Sequence, residues 1–239
     1  VTEGFGWLLD LVAAVLASVV AITLHEAAHG YAALALGDPT AKLAGRLSLN
    51  PLRHVDPVGT VLLPGILLLG QLLTLGRVEF MFGWAKPVPV NILALRHPRQ
   101  GMMLVAAAGP AMNFALALFA GLLVHPLVAL DGTAPRDLLF AGLRFVQYAI
   151  LANLVLGLFN LLPIPPLDGG RIVTGLLPQA LALPYMRLER WGILIVILVV
   201  ILLPRVAEGY DPVGWALRNV IAQAFDLVLL LTGNGGGRE

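Results

Sequence analysis

Leu11-Val-Ala-Ala-Val-Leu-Ala-Ser-Val-Val-Ala-Ile-Thr-Leu-His25-Glu26-Ala-Ala-His29-Gly30-Tyr-Ala-Ala-Leu-Ala-Leu36 carries no acidic, basic or histidine residue except His25, Glu26 and His29. About 20 consecutive apolar residues suffice for a helix to cross a bilayer, and this run is longer than that. The whole chain agrees: of 239 residues, 59% are hydrophobic and 12% charged, with a mean hydropathy of +0.88. A soluble domain carries about 25% charged residues, so lipid is the solvent this sequence is written for. The expected class is an all-α integral membrane protein that crosses the bilayer several times.

Composition also excludes classes. A net charge of +1, with basic residues scattered through loops, gives no nucleic-acid footprint. With no cysteine, there is neither a disulfide framework nor a thiolate metal site. The start Val1-Thr2-Glu3-Gly4 lacks the positive segment of a secretory signal, so the first apolar run reads as a membrane helix.

Working outward from that run, helical spans are expected at about 5–36, 101–130, 138–162, 186–203 and 212–231. Residues 1–232 read as one polytopic domain and 233–239 as a flexible tail. Val58 to Leu75 is apolar but interrupted by Pro64, Gly65 and Gly70, which weaken a helix interior. Arg77 to Phe82 alternates like a strand, and Pro87 and Pro89 confine Gly83 to Asn91 to extended structure. A re-entrant segment followed by a short β-hairpin near the site is the expectation, giving five to six transmembrane helices in all.

Charge decides the topology. If 58–75 does not cross, Lys42, Arg46, Arg53, Arg77, Lys86, Arg96, Arg99, Arg171, Arg187, Arg190 and Arg238 share one face, against Arg136, Arg144, Arg205 and Arg218 on the other. That bias marks the cytosolic side and puts the N-terminus outside, the C-terminus in the cytosol and the site nearer the cytosolic face of a cell membrane.

His25-Glu26-Ala27-Ala28-His29 is an HExxH pattern. On a helix, residues i and i+4 share a face, so both imidazoles reach one ion while Glu26 stands beside them as a general base. Two imidazoles and a carboxylate suit Zn2+, one per chain, with a coordination position left open. Ionisable groups in a lipid-embedded helix are expensive and functional by default. The third ligand is expected to be Asp168, in Pro163-Ile-Pro165-Pro166-Leu-Asp168-Gly169-Gly170, where prolines end a helix and glycines permit a turn that presents the carboxylate. Two crossings between His29 and Asp168 place them on one side, as the charge bias does. Ala13, Ala17 and Ala21 form a row of small residues for close helix approach, and Asn113, Asn153 and Asn160 face inward as intramembrane amides.

These residues resemble the site-2 protease family of intramembrane metalloproteases, in its compact prokaryotic branch. The resemblance rests on His25-Glu-Ala-Ala-His29-Gly30, on Ala108-Gly109-Pro110-Ala-Met-Asn113, and on Asn160 through Pro163 and Pro165 to Asp168-Gly169-Gly170. Asn50-Pro51 through His54 to Asp56-Pro57, and Gly83-Trp84-Ala85-Lys86-Pro87, add to it. It implies zinc held by His25, His29 and Asp168, Glu26 as the catalytic base, and hydrolysis of peptide bonds within or beside transmembrane segments. The partners implied are transmembrane substrates already trimmed by another protease. No PDZ-like insert interrupts 130–138 and no CBS pair follows Leu231. Supporting or substrate-binding roles fall to Asn160, Asn113 and His54, the last as an oxyanion stabiliser.

Two other readings compete. A metal transporter also carries intramembrane His and acidic residues, but it more often shows internal repeats, and no second HExxH exists. A prenyl-protein endoprotease wants a downstream glutamate ligand in place of the Asp168 loop.

Overall fold

A computed structural model describes residues 6–76, 83–207 and 211–235. Three long helices form the body: α1 (Gly6–Ala35), α3 (Pro98–Leu122) and α4 (Arg136–Asn160). All three pack on one another. Between the first two lies α2 (Leu63–Leu75), and after the third come α5 (Asp168–Leu176) and, near the end, α6 (Pro212–Leu231). Among the described residues, five helices are long and apolar enough to cross a membrane: Leu8–Ala35, Pro57–Thr74, Pro98–Val128, Arg136–Asn160 and Gly214–Leu231.

Close approach among α1, α3 and α4 follows from small residues, since apolar side chains gain little by leaving lipid and packing must do the work. Ala17, Ala21 and Ala33 of α1 and Ala117 of α3 are fully buried. A Cβ on Gly157 of α4 would stand 3.2 Å from Asn113 Cβ. α1 and α3 are antiparallel, because Val105 lies beside His29 and Asn113 beside Ala21. Arg144 of α4 pairs with Asp10 of α1. One end of the bundle therefore holds the C-terminus of α1, the N-terminus of α3 and the C-terminus of α4. α6 adds Val228 to a cluster with Ala117, Ala120, Val146, Ile150 and Leu154.

Four expectations are corrected. The interruption of 58–75 is absent: a π turn at Pro57–Leu62 runs straight into α2, and Pro64 sits in its first turn. A proline ring collides with the carbonyl four residues back, and widening the preceding turn removes the collision. A second π turn lies at Ile197–Leu202. There it accompanies a second departure: the helix expected over 186–203 runs from Arg187 to Val206 but changes type along its length.

The third correction concerns the hairpin. Among the described residues there is no strand, 83–91 included; the Arg77 to Phe82 half lies outside the described residues. The reason is where the N–H groups go. Trp84 donates to Gly59 O, Lys86 to His54 O, Val88 to Glu26 and Asn91 to Asp38, while Pro87 and Pro89 have none. No ladder can form on such an edge. Trp84 also brings the chain back to the foot of the π turn, so the excursion over 60–83 begins and ends at one place.

Fourth, the chain's two ends were expected on opposite sides. His125 Nε2 donates to Thr232 O at 2.6 Å and Asn234 Nδ2 to Gly121 O at 2.9 Å. Thr232 and Asn234 thus lie at the C-terminal end of α3, the same end as Asp10.

The loop after α1 is pinned by Asp38, which is wholly buried. Burial works to raise its pKa, but the Thr40 hydroxyl, the Thr40 amide and the Asn91 amide all donate to the carboxylate and hold the pKa below its ordinary value. A depressed folded-state pKa contributes stability above the unfolded value, near 3.9 for Asp, and loses it as pH falls through the folded value. The stability deficit of Asp38→Asn, measured by thermal unfolding in detergent, is therefore expected to be largest near neutral pH and to shrink below about pH 3.9.

Candidate metal centre

His25 and His29 project from one face of α1, one turn apart, with their rings edge to face. Their Nδ1 atoms are both engaged. His25 Nδ1 lies 2.6 Å from Asn113 Oδ1 and His29 Nδ1 lies 2.7 Å from the carbonyl of Val105. Both partners are acceptors, so each Nδ1 carries the proton and each Nε2 presents a lone pair. The Asn113 orientation is itself fixed, since Asn113 Nδ2 donates to Asn153 Oδ1 at 2.8 Å, and Asn153 Nδ2 to Ala149 O. Interhelical hydrogen bonds in membranes contribute only about 0.6 kcal/mol on average. Orientation of His25 therefore explains these amides better than stability does.

Asp168 completes the group. Its Oδ2 lies 3.1 Å from His25 Nε2 and 3.3 Å from His29 Nε2, and the two Nε2 atoms are 3.1 Å apart. That oxygen is buried without a hydrogen-bonding partner. Three lone-pair donors converge on one point, an arrangement that repels itself unless a cation sits there. Zinc–ligand bonds of about 2.0–2.1 Å at tetrahedral angles separate ligand atoms by about 3.3–3.4 Å, close to this triangle. The residues present fit zinc, supplying three of the four ligands it takes.

Asp168 is delivered differently from the expected Asp-Gly turn. It opens α5, and neither Gly169 nor Gly170 has a positive φ. A Cβ on Gly169 would stand 2.2 Å from Leu161 O, and one on Gly170 would stand 2.7 Å from Pro165 N. The glycines let the start of α5 press against the 161–165 loop, which sets the depth of the carboxylate. Gly109 of α3 has a related role. A Cβ there would lie 2.5 Å from His29 Nε2 and 2.6 Å from His25 Cε1, so bare backbone forms one wall of the metal pocket.

Glu26 Oε2 accepts from the Val88 amide at 3.1 Å, so the carboxylate next to His25 is held by the extended segment. Asn160 sits in the last turn of α4 and bonds to Leu156 O of its own helix. His54 is buried with Nε2 bonded to Ser48 O. Neither of these hydrogen bonds reaches His25, His29 or Asp168. Sequence reasoning placed Asn113 and Asn153 inward but not on His25, and it missed the Val105 carbonyl, Gly109 and the Val88 amide. A glycine costing about 1 kcal/mol inside a helix was the available signal for Gly109; nothing in the sequence marks a backbone carbonyl or amide as a partner.

The comparisons with known proteins bear on the same residues. Residues 136–203, which include Asp168, match the description "Peptidase family M50". "Putative zinc metalloprotease YwhC" of Bacillus subtilis is 40% identical over 215 residues, covering 90% of this chain and 91% of that protein. The chain belongs to peptidase family M50, the site-2 protease family. "Putative zinc metalloprotease Rip2" of Mycolicibacterium smegmatis is 31% identical, over 82% of this chain and 65% of that protein. The Rip2 of Mycobacterium tuberculosis is 32% identical over 63% of this chain and 52% of its own length. No solved structure matches. In this M50 chain the HExxH histidines and the Asp168 carboxylate come from segments on either side of α3.

Proposed function

We propose that this membrane protein is a zinc metalloendopeptidase that hydrolyses peptide bonds within or next to transmembrane segments, with His25, His29 and Asp168 as ligands and Glu26 as general base. The observation that carries the reading is the buried triangle of two Nε2 atoms and one unpartnered carboxylate oxygen, supported by the M50 membership. When bound, zinc would supply Lewis-acid polarisation of the scissile carbonyl and acidification of a water.

The chain's own residues do the rest. Val105 O and Asn113 hold the imidazoles in the ligating tautomer. Glu26, fixed by Val88, accepts the proton of the attacking water through its remaining oxygen and returns it to the leaving amine. Substrates are transmembrane proteins, and prior trimming by another protease fits a site set among helices, where a bulky ectodomain would obstruct approach. The test is cleavage of a synthetic transmembrane peptide by purified protein in detergent, stopped by a zinc chelator and restored by added zinc.

The metal end faces the cytosol in this reading. Lys42, Arg46, Arg53, Lys86, Arg96, Arg99 and Arg171 belong to segments at that end, against Arg136 and Arg144 at the other, and positive charge stays inside. Position 235 then lies outside, with position 133. The native chain has no cysteine, so single replacements report cleanly. An impermeant thiol reagent applied from outside is expected to label Thr133→Cys and Gly235→Cys but not Leu52→Cys or Leu93→Cys. Labelling of positions 52 and 235 from one side would overturn this arrangement.

A further inference from the structure

Among the described residues, Asp38 is the most buried carboxylate outside the metal group, at 0% exposure, and the chemistry above does not use it. Its Oδ2 accepts from the Asn91 amide at 2.6 Å, while Oδ1 is occupied by Thr40. Three residues before Asn91, the Val88 amide donates to Glu26. The intervening chain is stiff. Pro87 and Pro89 flank Val88, fixing their own φ and restricting the residues before them to extended conformations. They also leave Val88 with the only N–H in 87–89. Val88 is seated on α1 itself, because Gly30 lies under it: a Cβ at position 30 would meet Val88 Cγ1 at 3.2 Å. The segment is thus tied to α1 and the loop that follows it at two hydrogen bonds, one to Asp38 and one to the Glu26 carboxylate.

We infer that Asp38 is a positioning residue for the general base: by fixing Asn91 it sets the rigid 87–91 segment whose Val88 N–H orients the Glu26 carboxylate. The inference rests on Glu26 being the base. Asp38 touches neither ligand nor substrate, and its effect passes through one backbone donor. Misplacing a reacting group by about 1 Å costs about 10²-fold in rate, which sets the scale of the expected loss.

Two substitutions separate this route from a general role in folding. Asp38→Asn puts an amide NH2 where one of the donors now points. Val88→Pro removes the one N–H that Glu26 uses, in a stretch already extended by its neighbours. With purified protein and a transmembrane peptide, each variant is expected to lose about 10²-fold in kcat, with KM within about twofold and zinc content unchanged. The double variant is expected to be no slower than Val88→Pro alone, since coupled residues are not additive. Where Asp38→Asn does not yield folded protein, Asn91→Pro breaks the same bond from the other side and replaces it in the cycle.

Additive losses, or wild-type kcat in Asp38→Asn while Glu26→Gln is inactive, would overturn the inference and leave the base assignment standing. Full activity in Glu26→Gln would instead overturn the base assignment.

Discussion

Glu26→Gln is expected to cut peptide cleavage by about 10²–10⁴-fold, the range that a positioned general base contributes, with zinc content unchanged. The amide keeps the shape of the carboxylate and can still accept from the Val88 N–H, so the loop contact survives. What is lost is the capacity to take a proton. Because Glu26 adjoins the ligand group without belonging to it, metal analysis and turnover should separate cleanly in this variant. Near-normal turnover would mean that another group activates the water.

His25→Ala, His29→Ala and Asp168→Ala are expected to lose metal and activity together. In each case one corner of the 3.1–3.3 Å triangle disappears, leaving two donors for an ion that takes four ligands. Asn113→Ala should behave differently. It removes the acceptor that holds the His25 tautomer but no ligand, and partners of this kind typically matter about 10–100-fold in metal affinity. Zinc titration of the four variants distinguishes absent from weakened binding. Full zinc occupancy in Asp168→Ala would place the third ligand elsewhere.

The parts of the fold legible in the sequence are those governed by local periodicity and by the cost of burial in lipid. The HExxH face of α1 follows from 3.6 residues per turn, and the Ala17 and Ala21 row from the need for close packing. Asp168 was proposed from the prolines and glycines around it, with the count of crossings as a check. Pro64 misled, because sequence spacing does not reveal that a π turn relieves the clash. The proposed hairpin failed on a different count. The partners of 83–91 are single groups from a turn, a loop and two carboxylates, and such pairings leave no periodic trace. The arrangement of the chain's ends turned on two hydrogen bonds, at Thr232 and Asn234, that no charge count reports.

α2 stands apart from the helices that build the metal centre. No described side chain between Val61 and Thr74 is buried, and Leu69 and Leu73 are 61% and 85% exposed. Such a surface asks of its residues only that they be apolar, so drift among Leu, Ile, Val and Phe should go almost unnoticed by selection. The stringent positions lie at its base instead. There a Cβ on Gly59 would run into the Trp84 indole at 2.3 Å, and one on Gly83 into the Gly59 carbonyl at 2.5 Å. Among family members, this helix should be a region of fast substitution standing on an unchanging pair of glycines.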